Sequence, residues 1–417
     1  MLLRFSVENV FSFGGRSTLD LRAVDGKTPL RVVGIYGANA SGKSNLLLAF
    51  NRFQGYVMHS HDRSWMADFN GVPPFLGNGI LGGVAKPCIM EVEFELKREI
   101  LRYGFAFQDG VILKEWLFSR KDTKSHDKDE VRFLRKSDRK TATVQTGRGF
   151  EKLTRNEVEL LRPDALFLTL AGNYNVAYAM AVSDEITQRM SVCTALSEDA
   201  VQTSAKLYEH SRLSSRIVDF IRQTDPFIRD IVVRGEADDS ELTGKRKVRL
   251  SVKVVPSFSS RRKGRRMEFD FTRLASVGTR KAYELAGPIF EALDRGETLF
   301  VDEFGSAMHP LLSESIIRLF IDPAVNSHGA QLIFVTHDAG LLELKETGSD
   351  GIRRNLLDDD QIYFVERNRE LSSELYPLSD FKKGRKADSR RMKYLDGEFG
   401  AIPYFKSTFG RRIRRGE

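Results

Sequence analysis

Two cysteines, Cys88 and Cys193, are all that the 417 residues contain. That is too few for the disulfide framework of a secreted domain or for a cysteine-built zinc site. No apolar run approaches the ~20 residues that span a bilayer, which excludes an integral protein with helical spans. Met1-Leu2-Leu3-Arg4-Phe5 lacks the basic-then-apolar layout of a signal peptide. A cytoplasmic protein that makes no membrane contact is expected. No heptad persists for three or four turns, so a long coiled coil is excluded, and no repeat of fixed period occurs. Outside residues 381–417 an excess of either charge is also missing, with 53 basic and 53 acidic residues. The last 37 residues carry twelve basic and four acidic side chains, the whole net charge of +8. A neutral body argues against a DNA-binding surface covering the whole protein.

What is present is an ordinary globular composition, 41% hydrophobic and 29% charged, in a chain long enough for two to three domains of ~150 residues. Leu3–Val7 and Ser17–Leu21 alternate as strands, and Arg31–Tyr36 is a short apolar strand running into a glycine-containing loop. Asn45–Phe53 has helical character. Residues 70–87, rich in Gly and Pro, read as loop. Met90–Phe94, Leu101–Phe107 and Val111–Phe118 predict an antiparallel meander with turns near Lys97-Arg98 and Asp109-Gly110. Residues 119–150 are polar and charged and read as an exposed loop or ragged hairpin. From 151 to 226 the apolar spacing is helical. Strands resume at Ile231–Val233 and Val248–Val255, and from Leu274 to Glu343 helix and buried strand alternate as in an α/β sheet. The expected divisions are an N-terminal lobe over 1–150, a helical insertion over 151–226, a C-terminal lobe over 227–380 and a basic tail over 381–417.

Gly37-Ala38-Asn39-Ala40-Ser41-Gly42-Lys43-Ser44 matches G-x-x-x-x-G-K-[ST] without deviation, between a predicted strand and a predicted helix. The glycines let successive backbone N–H groups turn inward toward phosphate oxygens, and the helix that follows, beginning near Asn45, adds the positive end of its dipole. Lys43 is placed for the β- and γ-phosphates, and the Ser44 hydroxyl for Mg²⁺. The matching acid comes from Thr298-Leu299-Phe300-Val301-Asp302-Glu303, an apolar strand ending in two carboxylates. Asp302 is the candidate metal group, and Glu303 the candidate to orient and deprotonate the attacking water. Gln331–Val335 is a further buried strand ending in Thr336-His337-Asp338, within reach of a γ-phosphate. Leu274–Arg280 opens a helix running to about Leu293, with Ser276 and Gly278 at its start as an anion-binding cap.

The order of phosphate loop, long insertion, Ser-x-Gly cap, apolar-Asp-Glu and apolar-Thr-His resembles the heads of ABC-type ATPases, among them SMC, RecF and OLD-like proteins. The resemblance implies an α/β, ABC/SMC-like P-loop head with an antiparallel β lobe and a helical insertion, binding ATP and Mg²⁺. It implies that Ser276 and Gly278 contact the γ-phosphate of an opposite subunit. It makes Ser306-Ala307-Met308-His309 the D-loop and His337 the switch histidine. No equivalent of the Q-loop glutamine is identified: Gln54 lies too near the phosphate loop, and Gln108 is the remaining candidate. More narrowly, Leu3–Asn9, Tyr36–Ser44, Arg102–Phe105, Asp302–Pro310, Gln361–Glu366 and Tyr394–Pro403 resemble the AAA15 family of OLD-related bacterial ATPases. Members of this size imply the ATPase half of an anti-phage abortive-infection system of the RloA/AbiL or PARIS type, acting on a separate effector such as a Toprim-like nuclease.

An intrinsic nuclease is not expected. Asp358-Asp359-Asp360 precedes the strand Gln361–Val365 at once, no second carboxylate cluster follows, and the triplet reads as a solvated turn. His59 and His61 likewise read as surface residues. Two other functions stay open: an ATPase of the RecF/SMC sort acting directly on DNA, and a nucleotide-gated scaffold that hardly turns over. Nucleic-acid contact would use the tail and Arg261-Arg262-Lys263-Gly264-Arg265-Arg266. The tail interleaves its charges with Tyr394, Leu395, Phe399, Ile402, Tyr404 and Phe405, the composition of a docking surface. A homodimer or higher homo-oligomer is the expected assembly.

Overall fold

Alternating residues in the first third of the chain form antiparallel sheet, and the unbroken apolar runs of the second half form parallel strands buried on both faces. The computed structural model describes the chain except residues 69–70, 76–85, 122–128, 139–140, 152, 154–157, 194–203, 206–207, 209–210, 239–246, 257–267, 348–350, 352, 382–388 and 404–417. In chain order the N-terminal elements are β1 (Leu2–Glu8), β2 (Ser17–Asp20), β3 (Val32–Tyr36), α1 (Lys43–His59), α2 (Arg63–Asp68), β4 (Cys88–Leu96), β5 (Glu99–Gln108), β6 (Val111–Arg120), β7 (Glu130–Ser137) and β8 (Ala142–Thr146). The middle holds α3 (Phe167–Asn173), α4 (Ala177–Gln188), β9 (Met190–Cys193), α5 (Ser211–Thr224), β10 (Ile228–Asp238), β11 (Lys247–Pro256), β12 (Phe269–Asp270) and α6 (Phe271–Leu274). Then come α7 (Val277–Arg295), β13 (Thr298–Val301), α8 (Pro310–Ile321), β14 (Gln331–Val335), β15 (Lys345–Thr347), β16 (Arg353–Asn355), β17 (Ile362–Arg367), β18 (Ser373–Pro377) and α9 (Arg390–Leu395).

The antiparallel lobe is a seven-stranded sheet in the order β2-β1-β4-β5-β6-β7-β8. Its two predicted turns are two-residue loops with left-handed backbone at Lys97 and Arg98 and at Asp109 and Gly110. That geometry matches the twist of the flanking strands. Of the two readings of residues 119–150 the hairpin holds and the exposed loop does not, because β7 and β8 pair as antiparallel strands that extend the sheet and β7 buries Phe133, Arg132 and Arg135. Arg135 reaches Glu115 at 3.7 Å with both side chains fully buried, and it also donates to the carbonyls of Ala165 and Arg162.

The second sheet has six strands in the order β18-β17-β3-β14-β13-β9. All of its pairings are parallel except the antiparallel edge strand β18. Two of these strands depart from the sequence reading. The helical reading of 151–226 misses β9, and β18 follows the strand expected to be last. Helix α1 lies between the two sheets. Phe50 packs on Phe5 of β1 at 5.1 Å and on Phe300 of β13 at 4.5 Å, while Phe53 stacks on Phe105 of β5 at 5.4 Å. The opposite face of the parallel sheet forms a second core with α5, α7 and α8.

The architecture is thus an α/β head with an antiparallel lobe, without a long coiled coil or a helix able to cross a membrane among the described residues. The tail is less independent than its composition suggests. Tyr394 stacks on Phe364 at 5.5 Å and approaches Tyr36 at 6.3 Å, and Phe399 lies on Phe364 at 5.5 Å. Glu343 accepts from the Ser389 hydroxyl and from the Arg391 N–H, fixing α9 to the short turn that follows β14. The two buried aromatics are therefore used inside the protein's own core. Leu395 stays half exposed, and Tyr404, Phe405, the basic run ending the chain and Arg261–Arg266 lie outside the described residues.

Candidate nucleotide-hydrolysis site

Parallel strands place their C-terminal ends on one edge, and ligands in such sheets bind at that edge. Here β3, β14, β13 and β9 deliver Gly37, Thr336, Asp302 and Cys193 to it. Gly42 caps α1 with φ of 115°, and a side chain there would meet the hydroxyls of Ser373 and Ser12 at 2.2 and 2.6 Å. Only glycine fits. Lys43 is buried, its ammonium donating to Gly37 O at 2.8 Å and Ala38 O at 2.7 Å. Asn39 and Ala40 form the exposed tip, and Ser44 is exposed at the mouth. Asn45 turns away from the loop interior to donate to Ser12 Oγ at 2.9 Å.

Ser44 Oγ lies 3.3 Å from Asp302 Oδ1, although 258 positions separate them. The same carboxylate oxygen accepts the Glu303 N–H at 2.9 Å, and Glu303 is exposed with a left-handed backbone, φ of 50°. The turn carrying Glu303 is tied to the next strand: Phe304 N donates to Val335 O at 2.8 Å and Thr336 Oγ1 to Phe304 O at 2.7 Å. His337 follows at once. It bonds the Gly37 backbone and feels the charges of Lys43, Asp302 and Glu303, and partial burial followed by the Lys43 charge holds its imidazole below the usual range. The loop, both carboxylates and the histidine come together in one place.

Ser276 caps α7, its Oγ accepting Thr279 N at 3.1 Å, and the Thr279 hydroxyl donates to Asp225 at 3.1 Å. A side chain at Gly278 would sit 2.7 Å from Ala307 O, so the cap leans directly on residues 306–309. His309 caps α8 through Nδ1, which accepts Leu311 N at 3.2 Å. Gln54 is buried and donates to Ile186 O and Met190 O at 2.6 Å, a structural role. Gln108 ends β5 in the antiparallel lobe. The strand beside Asp302 is β9, whose Cys193 O accepts Asp302 N at 2.9 Å. Of the acid triplet, Asp359 pairs with Arg390 and Asp360 accepts Val24 N at 2.9 Å. Among the described residues no group of three or more His, Cys, Asp or Glu could hold a metal ion. His59 stacks on Trp65 at 5.1 Å.

The residues present fit a nucleotide phosphate. The buried Ser41 hydroxyl inside the loop has no protein partner, and the Lys43 ammonium satisfies itself only on loop carbonyls. Hard oxygen donors at Ser44 and Asp302 suit Mg²⁺, with phosphate and water completing its shell. Fold and loop together define a P-loop ATPase domain. A family model described as "AAA domain, putative AbiEii toxin, Type IV TA system" matches residues 32–343, and the chain belongs to this family. The chain is also similar to a solved structure, the SMC head domain from Thermotoga maritima. That similarity is 16% in sequence over 90% of this chain and 98% of that chain, with a TM-score of 0.40. No curated protein matches.

Burial pushes the Lys43 ammonium down to about 8, against the pull of Asp302. Phosphate in the loop favours the charged form, so nucleotide binding returns a proton to Lys43 above that pH. Affinity for ATP is therefore expected to be level below pH 8 and to fall by up to about tenfold per unit above it. Calorimetric titration near pH 9 in two buffers of different ionisation enthalpy should show net proton uptake. Affinity that stays level past that pH would remove Lys43 titration from the binding reaction.

Proposed function

We propose that the chain is a Mg²⁺-dependent ATPase that dimerises on ATP and regulates a separate effector in bacterial anti-phage abortive-infection defence. The effector in this reading is a Toprim-like nuclease, as the AAA15 resemblance implies. The observation that carries the catalytic part is the convergence of Ser44, Asp302, Glu303 and His337 on the loop that holds Lys43. A bound Mg²⁺ would neutralise charge on the phosphates and polarise the γ-phosphoryl group. Lys43 and the loop N–H groups hold the β- and γ-phosphates in place. Glu303, exposed beside Asp302, orients water and takes its proton. His337, held below its usual range by burial and the Lys43 charge, is placed to hydrogen-bond the γ-phosphate. The defence part draws support from the family description, which names a Type IV TA system.

Completion of the site by a second copy has a direct test. Ser276→Arg and Lys43→Ala proteins should each be inactive alone. In a mixed dimer one composite site carries both lesions and the other carries none. Equal mixing with free re-pairing should therefore restore about a quarter of wild-type ATPase activity. Mixed dimers without recovered activity would count against action across the interface. Phage challenge of cells carrying the gene with its neighbours tests the defence reading, with protection expected to disappear in Lys43→Ala. Salt-sensitive, ATP-dependent DNA binding by the protein alone would instead favour direct action on DNA.

A further inference from the structure

The back of the phosphate loop is held by two segments that lie outside residues 32–343, the stretch matched by the family model. One is the turn after β1, the other the start of β18. Asn45 Nδ2 donates to Ser12 Oγ at 2.9 Å, Ser12 Oγ and Ser373 Oγ lie 2.8 Å apart, and Ser373 Oγ lies 2.5 Å from Ser41 O. An amide nitrogen only donates, a carbonyl only accepts, and each hydroxyl has one proton to give. Ser373 is the donor of the junction, its hydroxyl facing Ser41 O and Ser12 Oγ together. Ser12 Oγ, which accepts from Asn45, is the second acceptor in reach of the Ser373 hydroxyl, so Ser373 is the joint of the chain.

Ser12, Ser373 and Ser41 are all buried, so water does not substitute for any link. The backbone reinforces the junction: Ser373 N donates to Ser12 O at 2.7 Å and Gly14 N to Ser372 Oγ at 2.8 Å. Asn368 stiffens the hairpin between β17 and β18, its Oδ1 accepting the N–H groups of Glu370 and Ser372 at 3.0 Å. The chain therefore grips the Ser41 peptide at the point where the loop bends into Gly42 and α1.

We infer that Ser12 and Ser373 are positioning residues for nucleotide binding, which clamp the Ser41 carbonyl and so set the curvature of the phosphate loop from behind. The inference rests on the ATPase reading of the site. Because the clamp acts on the loop rather than on the water or the carboxylates, its loss should weaken nucleotide binding and leave the chemical step alone. A bond that merely stabilised the fold would behave differently. It would lower the melting temperature and the active fraction, and leave the KM of the folded fraction unchanged.

The test uses the full chain and a fluorescent ATP analogue with Mg²⁺, alongside steady-state hydrolysis. Ser373→Ala should raise Kd and KM by about tenfold, the scale of one net hydrogen bond, with kcat within about twofold. Ser12→Ala should act in the same direction. The double variant should be no worse than Ser373→Ala, because one break already opens the chain. Kd within twofold of wild type for both single variants, while Lys43→Ala has lost binding, overturns the clamp and leaves the ATPase reading standing. A fall in stability with unchanged KM overturns it equally. Should Ser373→Ala fail to fold, Ser12→Ala decides by the same limits. Failure of the wild-type protein to bind the analogue ends both the ATPase reading and the clamp.

Discussion

Glu303→Gln is expected to bind ATP as the wild type does and to hydrolyse it at least ~10²-fold more slowly, since an amide cannot take the water's proton. The substitution is clean for structural reasons. Glu303 is exposed, and the turn beneath it is held by main-chain and Thr336 bonds that do not involve its carboxylate. The left-handed backbone at this position costs glutamine no more than it costs glutamate. Lys43→Ala should fail one step earlier, because it deletes the buried cation of the loop and should lose nucleotide binding itself. Single-turnover hydrolysis with saturating enzyme separates the two defects. Near wild-type turnover by Glu303→Gln would move the general base to another residue, and retained ATP binding by Lys43→Ala would put the phosphates elsewhere.

The second large effect is expected far from that edge. Glu115 is fully buried in the antiparallel lobe, and it accepts from Tyr103 OH at 3.1 Å, Phe167 N at 2.6 Å and Leu168 N at 2.9 Å while facing Arg135. Burial pushes its carboxyl up, and the Arg135 charge and these donors oppose that shift. Glu115→Ala would strand a buried guanidinium and leave two N–H groups at the start of α3 without an acceptor. Breaking a buried pair from one side costs roughly 3–5 kcal/mol. Urea denaturation should show that loss as a lower midpoint with little change in slope. A loss under about 1 kcal/mol would mean that water or a neighbouring group takes over the acid's role.

That same pair shows where a reading of the sequence stops. Arg132 and Arg135 look solvated in a polar stretch, and nothing local announces that Glu99 on β5 and Glu115 on β6 wait for them. The loop from Gly37 to Ser44 was legible because its chemistry is local, eight consecutive residues between an apolar strand and a helix. The turns at Lys97-Arg98 and Asp109-Gly110 were legible for the same reason, since alternation on both sides brackets them. Strand β9 was not. Its four residues follow directly on helical spacing and sit half buried at a sheet edge, so periodicity had nothing to count. Strand β18 hides behind Ser, Glu and a terminal Pro, tolerable only because it is an edge. Tyr394 and Phe399 looked like docking residues because their partner, Phe364, is thirty and more positions away. Ser12 and Ser373 gave no signal, because a serine in a turn is ordinary until its opposite number is known.

Phe50 is wedged between Phe5 on one sheet and Phe300 on the other, and this gives α1 a mechanical role. The helix that begins at Lys43 and Ser44 is thus packed against both lobes through one side chain, and a shift of either lobe would have to be taken up at Phe50 or passed along the helix. Close packing leaves little slack to absorb such a shift. Were a partner on the lobe to shift this helix and so change the affinity for ATP, ATP would change that partner's affinity by the same factor. Coupling of that kind would let the lobe's outer strands report on phosphate they never touch.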